Sequence, residues 1–376
     1  MKLVYFNNAA TSWPKPSVVA TAMADCVGHI PCKDARSGLE GENISETCRE
    51  RMAALLNVRE AKQIVFGANA THALNVALHG FPWRYGASVV TTAAEHNSVL
   101  RPLYQLAKTK GLQVHVIPVD VEGRVVPEVW REAMRQFQPA LAVFSHASNV
   151  TGAVNDAMLL GQIAREAGAV TLLDASQTAG FLPVYPETWQ LDMVAFTGHK
   201  YLLGPGGTGG LYLSPAIAPL LQPVWVGGTG IHSNLEEMPS LMPQRFEAGT
   251  PNNPGLAGLS AALAWRAKNT FQPNNLLKEV ERLCVGLTEL GADVIDVARP
   301  RTPVVSFTLP KWRVETVGEA LQKSFGIVCR TGVHCAPNIH AYLGTAPCGT
   351  VRFSFSRFTQ AQEIDYCLHA VHALLT

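Results

Sequence analysis

Between residues 45 and 215, short apolar runs alternate with helix-like stretches, and this alternation restricts the fold more than any other feature. The runs Gln63–Phe66, Ser88–Thr91, Leu141–Ser145, Val170–Leu173 and Met193–Phe196 have the length and character of strands buried on both faces. Thr71–Leu78 and Asp156–Ala167 supply helical patterns between them. Buried strands alternating with helices predict an α/β fold with a mainly parallel central sheet covered on both sides. Each strand runs into a polar cluster: Asn69-Ala70-Thr71, Glu95-His96-Asn97, Asn149, Asp174-Ala175-Ser176-Gln177 and Thr197-Gly198-His199-Lys200. In open α/β sheets ligands bind beyond the carboxyl ends of the strands, so these five clusters mark the expected site.

After about residue 260 the texture changes. Leu259–Ala267 and Asn275–Leu290 read as helices, and Val304–Leu309 as a strand. Val317–Phe325 reads as a helix stopped by Gly326, and Ile327–Arg330 as one further strand. A last helix is expected after Thr359, with Gln362 completing a capping box. A helix is also expected from Pro16 through Val27, after an extended arm ending in Trp13-Pro14. These features predict a large domain over 15–258 and a smaller α+β domain over 259–376 that takes in the arm 1–14.

With 376 residues, 47% apolar and 16% charged, the chain can bury a large core. A formal charge of +1 and no basic stripe argue against a nucleic-acid partner. No run approaches the roughly 18 apolar residues of a membrane span, and the four apolar residues after Lys2 are too few for a secretory leader. No membrane association is expected, and a cytoplasmic location is. The eight cysteines, at 26, 32, 48, 284, 329, 335, 348 and 367, form no C-x-x-C pair. Most are expected to be small core residues, and no metal site is expected. His334, Cys335, His340 and Cys348 have the right residue types for a metal without the spacing.

Chemistry concentrates in the strand-end clusters. Lys200, after an apolar strand, can form a Schiff base with an aldehyde cofactor, although taken alone a solvated loop lysine is the more ordinary reading, and it is Asp174 that shifts the balance. Asp174 ends a strand that should be buried, where a carboxylate needs a cationic partner. The pyridine nitrogen of pyridoxal 5'-phosphate is such a partner, and a helix cap is the plainer alternative. Gln177 could reach the ring hydroxyl. Ala70 and Thr71 open a helix after a strand, a natural phosphate position, with Thr197 and His199 as further donors. His96 could stack on a flat ring or serve structure alone.

Gly204-Pro205-Gly206-Gly207-Thr208-Gly209 matches a dinucleotide pattern in form but precedes a strand. It is therefore expected to be a turn bringing backbone close to the cleft. Cys335 follows His334, whose cationic form could favour the thiolate. Arg352, on an apolar strand pattern, wants a carboxylate, from a ligand or from an internal salt bridge.

Taken in order, these motifs resemble the group II (Suf-type) cysteine desulfurases of the class V aminotransferase superfamily. The resemblance covers nearly the whole chain. It includes Phe6-Asn7-Asn8-Ala9-Ala10-Thr11-Ser12, Ser148-Asn149-Val150-Thr151-Gly152, Arg245-Phe246-Glu247-Ala248-Gly249-Thr250-Pro251 and Arg330-Thr331-Gly332-Val333-His334-Cys335-Ala336. It implies the pyridoxal-phosphate-dependent transferase fold of type I and a homodimer with sites at the subunit interface.

The resemblance also implies roles. Lys200 carries the cofactor, Asp174 pairs with its ring nitrogen, Gln177 meets its ring oxygen and His96 stacks on it. Thr71, Thr197 and His199 hold phosphate, joined by Thr250 of a second subunit. Asn149 and Arg352 orient the substrate carboxylate. Cys335, on a loop able to approach substrate and then an acceptor, takes sulfur from L-cysteine as a persulfide, releasing L-alanine. A sulfur-acceptor protein would then receive it, for iron–sulfur or other cofactor biogenesis.

Asn7 stands where an acidic residue is common and His72 where Glu is, and Asn69-Ala70-Thr71 lacks a usual Gly or Thr. Alternatives on the same scaffold are a selenocysteine lyase or cysteine sulfinate desulfinase, and an aminotransferase or epimerase with Cys335 a bystander. A non-catalytic protein retaining the fold is a third, opposed by the intact Lys200 and Asp174.

Overall fold

A computed structural model describes residues 3–29 and 43–376; Cys32 lies outside the described residues. The arm contributes strand β1 (Val4–Tyr5), followed by helices α1 (Ser17–Gly28) and α2 (Ile44–Leu56). The alternating region then gives β2 (Ile64–Gly67), α3 (Ala70–Gly80), β3 (Ser88–Thr92), α4 (Asn97–Lys110), β4 (Gln113–Ile117), α5 (Pro127–Phe137), β5 (Leu141–Ser145), α6 (Ala157–Glu166), β6 (Val170–Asp174), β7 (Met193–Thr197) and β8 (Gly209–Leu213). Helices α7 (Asn253–Lys268) and α8 (Pro273–Glu289) lead to β9 (Asp293–Val294), β10 (Val304–Thr308), α9 (Val314–Phe325), β11 (Ile327–Val328), β12 (Arg330–Gly332), α10 (Ile339–Tyr342), β13 (Thr350–Ser354) and α11 (Ala361–Leu375).

The α/β expectation holds. Seven strands form one sheet in the order β2-β8-β7-β6-β5-β3-β4. Strands β4, β3, β5, β6 and β7 run parallel. Strand β8 is antiparallel to both β7 and β2, so β2 points the same way as β7. Six strands therefore end on one edge of the sheet, and the polar clusters that follow them converge there. The chain passes from β3 outward to β4 and returns to β5 on the other side of β3. The loops after β3 and β5 thus diverge, which opens the crevice where such sheets bind ligands.

Burial explains why these segments are strands. Residues of β5 and β7 are inaccessible on both faces, including Phe144 and Phe196. A fully buried side chain of this size contributes about 1.5–3 kcal/mol. On the helical layer, Trp130 of α5 packs edge-on against Phe144, with centroids 5.5 Å apart, and donates Nε1–H to Leu160 O at 3.0 Å. The pair is apolar over its rings with its one polar atom satisfied.

A second, antiparallel sheet has the order β12-β13-β10-β9. The arm joins this half: β1 pairs in parallel with β11, and Val4 and Phe6 lie in the same apolar core as Phe307, Phe353 and Ile364. The segment 327–330, expected as one strand, is two. Val328 ends the pairing with the arm, and from Arg330 the chain pairs with β13 instead. The last helix is capped one residue later than expected, by a box of Gln360 and Glu363 in place of Thr359 and Gln362. The expected boundary at 258/259 falls inside α7, which packs on α1 and α2. We propose that the smaller domain begins after this helix, beyond its cap at Asn269.

Candidate active site

The converging strand ends enclose a cavity of about 300 Å³. Its walls bring together Ala70, Thr71, His96, Asn149, Asp174, Gln177, Thr197, His199, Lys200 and Arg352, with Ala9 and Ala10 of the arm. Thr250 lies elsewhere, in a separate recess with His72, Trp225 and Asn252.

Asp174 ends β6 and is buried. Ser176 donates to its Oδ1 twice, from the amide at 2.9 Å and the hydroxyl at 2.5 Å. Among the described residues Oδ2 receives no hydrogen bond. Lys200 follows β7. Burial lowers its pKa from 10.5 to about 8, with the guanidinium groups of Arg352 and Arg330 acting in the same direction; Asp174 opposes the shift. A lysine of this kind is neutral often enough near neutral pH to be a nucleophile.

The arm holds the Lys200 backbone. Ser12 N, Ser12 Oγ, Thr11 Oγ1 and Lys15 Nζ all donate to His199 O, at 2.9, 3.1, 3.2 and 3.2 Å. Gln177 Nε2 donates to Ala9 O at 3.1 Å, which fixes its amide orientation and turns Oε1 elsewhere. That Oε1 and Thr197 Oγ1 are buried without a hydrogen-bond partner.

Opposite, Asn69 caps α3 by accepting from His72 N at 2.9 Å, so the first turn of the helix faces the cavity. The Gly-rich turn permits this. A Cβ on Gly209 would lie 2.7 Å from the Asn69 backbone, so glycine here allows close approach of two main chains. His96 caps α4 and receives Ser98 N–H on Nδ1 at 3.0 Å. Burial, and then Lys200, lower its pKa from 6.5 to about 4. Burial lowers His199 likewise to about 4. Both imidazoles are neutral at neutral pH.

Arg352 is 1% exposed. It donates to Asn149 O at 2.9 Å and to Asn7 Oδ1 at 3.2 Å, while its Nε has no partner. Among the described residues no carboxylate forms a salt bridge with it, which removes the internal-ion-pair reading of this arginine. Burial pulls its pKa down to about 9, with Arg330 adding to the effect. Asn149 Nδ2 is committed to His334 O at 2.7 Å.

Cys335 sits differently from expectation. His334 is buried, and burial together with Arg352 and Arg330 holds its pKa well below 6.5, so it is not the cation beside the thiol. Its Nε2 meets Thr350 Oγ1 at 2.9 Å. The cation is Arg330, whose Nη2 lies 2.9 Å from Cys335 Sγ and which lines the cavity. His334 and Cys335 have φ of 51° and 60°, a left-handed turn that folds the sulfur back toward Arg330. Cys335 O accepts from Asn97 N at 2.7 Å, and Gly349 packs its main chain onto Gly332. The loop thus packs against the start of α4 on one side and against Gly349 on the other.

Cys48, Cys284 and Cys367 are buried and Cys348 is exposed. Among the described residues no group of three or more His, Cys, Asp or Glu side chains could hold a metal ion, and no helix is long and apolar enough to cross a membrane.

The model of the family described as aminotransferase class-V matches residues 4–367. The chain belongs to this family. Among class-V proteins it is 31% identical to the "Probable cysteine desulfurase" of Pyrococcus abyssi, over all of this chain and 94% of that one. It is 30% identical to a cysteine desulfurase of Escherichia coli, over 100% and 95% of the two chains. Among solved structures, the apo cysteine desulfurase of Thermococcus onnurineus superposes with a TM-score of 0.89 at 29% identity, covering 99% of this chain and 94% of that one.

Several residues of this class-V site escaped the sequence reading. Arg330 was visible only as part of a motif, because its contact with Cys335 depends on a tertiary turn. Ser98, in the first turn of α4, and Ser176, in the turn after β6, are small polar residues where capping and turn formation are the ordinary roles. Glu95 is wholly buried, accepting from Thr92 Oγ1, Ser145 N and Ser145 Oγ at 2.6, 3.0 and 2.7 Å.

Proposed function

We propose that the chain is a pyridoxal-phosphate-dependent cysteine desulfurase that converts L-cysteine to L-alanine and retains the sulfur as a persulfide on Cys335. The observation that carries this reading is a single cavity lined by Lys200, Asp174 and Arg352, with an Arg330-held thiol joined to its wall.

The residues fit the cofactor. Thr197 Oγ1 and Gln177 Oε1 are buried polar atoms lacking partners, a costly state that a bound polar group would relieve. The α3 N-terminus suits its phosphate. Asp174 Oδ2 suits a protonated ring nitrogen, and Lys200 its aldehyde. When bound, the cofactor supplies an electron sink for charge developing at the substrate Cα.

The chain does the rest. Arg352 holds the substrate carboxylate, having no internal carboxylate to hold. The Lys200 amine takes the Cα proton. Cys335, whose sulfur Arg330 Nη2 holds at 2.9 Å, attacks the substrate sulfur as the thiolate. A sulfur–sulfur bond forms and the Cβ–S bond breaks; its electron pair stays with Cβ, which takes up a proton as alanine forms.

A homodimer belongs to this reading. Thr250 lies outside the cavity, in a recess near the exposed Trp225 and Val226, and would serve a second copy's phosphate. So do a sulfur-acceptor protein and the reducing cytoplasm, where free thiols persist. The test is Cys335→Ala with L-cysteine. It should keep the cofactor absorbance and lose alanine formation. Undiminished alanine formation would remove Cys335 from the reaction.

A further inference from the structure

The direction of one hydrogen-bond chain can be read from its ends. Ser98 N–H donates to His96 Nδ1 at 3.0 Å. An amide N–H only donates, so Nδ1 is bare and the neutral ring carries its proton on Nε2. Ser98 Oγ lies 2.8 Å from the same Nδ1. Facing a bare nitrogen, the hydroxyl donates its one proton there. Toward Thr71 Oγ1, 2.7 Å away, Ser98 Oγ must therefore accept. Thr71 heads the chain as donor, in the first turn of α3 and on the cavity wall. The buried, unpartnered Thr197 Oγ1 lines the same cavity and marks it as a place for a polar ligand.

We propose that Thr71 and Ser98 form a two-hydroxyl relay through which phosphate at the α3 N-terminus sets the protonation of His96. This rests on the reading above, in which that position receives a phosphate group. An unprotonated phosphate oxygen, which the monoanion present near the His96 midpoint also carries, can only accept, so it takes the Thr71 O–H. Thr71 Oγ1 then accepts from Ser98, whose hydroxyl turns away from His96. A lone pair of Ser98 Oγ now faces Nδ1, and the protonated ring gains an acceptor there, exchanging the Ser98 amide for the Ser98 hydroxyl. No covalent bond breaks in the reversal; two hydroxyls rotate.

The charged groups around His96 are Lys200, Arg330 and Arg352, which oppose its protonation, and Asp174, which favours it. They set its baseline, and the relay adds a dependence on phosphate. Ser98 is a positioning residue: it acts through His96.

The full chain, labelled with nitrogen-15 in histidine, gives the readout. His96 resonances are assigned by their loss in His96→Gln, and the ring is titrated by NMR with and without inorganic phosphate. Without phosphate the neutral ring should be the Nε2–H tautomer. Phosphate should raise its protonation midpoint by about one pH unit, the scale of a gained hydrogen bond to the charged form. Ser98→Ala should lose at least half of that shift, Ser98→Thr should keep it, and Thr71→Val should lose it too and serves if Ser98→Ala does not fold.

An equal shift in Ser98→Ala and the wild type would mean that phosphate acts through space alone and would overturn the relay. A proton on Nδ1 in the phosphate-free chain, or a midpoint unmoved by phosphate, would also overturn it. Failure to take up pyridoxal phosphate, read separately by absorbance, would count against the proposed function and leave this titration standing.

Discussion

Arg352 Nη2 meets Asn7 Oδ1 at 3.2 Å, so a buried guanidinium is paired with a neutral amide. An uncompensated buried cation is costly, and an anionic substrate group relieves the cost on binding. Asn7→Asp would supply a carboxylate from within. It should compete with the substrate carboxylate and raise KM for L-cysteine about tenfold, roughly 1.4 kcal/mol, with kcat little changed. Steady-state kinetics check this; an unchanged KM would mean that Arg352 does not bind the substrate.

Lys200 predicts a pH dependence of cofactor uptake. Its neutral amine is the nucleophile, and its pKa lies at about 8. Below that value the uptake rate should rise with pH, by up to about tenfold per unit, and above it the rate should level off. Asp174 favours the ammonium. Asp174→Asn should therefore move the inflection to lower pH. Stopped-flow absorbance on mixing the cofactor-free chain with pyridoxal phosphate measures both.

Glu95 predicts a pH dependence of stability. Burial raises its carboxyl from 4.5 to about 7, against the lowering effect of hydrogen bonds from Thr92 and Ser145. The folded state holds this proton more tightly than the unfolded chain does. Its contribution is therefore fully present below about pH 4.5 and is lost as pH rises through about 7. The full loss is on the order of 3 kcal/mol. Glu95→Gln, which does not ionise, should flatten that decline in urea unfolding between pH 4.5 and 7.5. A decline as steep as in the wild type would assign it to other groups.

What the sequence revealed depended on where each element packs. Strands β5, β6 and β7 sit in the middle of the sheet and read as unbroken apolar runs. Strand β4 is an edge strand with the half-exposed pattern Gln113-Val114-His115-Val116-Ile117, and it was not recognised. Helix α4 contains Pro102, which argues locally against a helix that tertiary packing nevertheless completes. The split of 327–332 between two sheets depends on partners far away in the chain, Val4 and Val351. Within the site, strand-end positions identified Lys200, Asp174 and His96 as candidates. The contact of Arg330 with Cys335 could not be read, because it requires left-handed φ at two non-glycine residues.

The central claim is tested most directly by the mass of the full chain, loaded with pyridoxal phosphate, after incubation with L-cysteine under non-reducing conditions. The account predicts a gain of one sulfur atom, localised by peptide mapping to the segment containing Cys335, reversed by a thiol reductant and absent in Lys200→Ala. Alanine released without sulfur on that peptide, or sulfur found instead on Cys348, would contradict it.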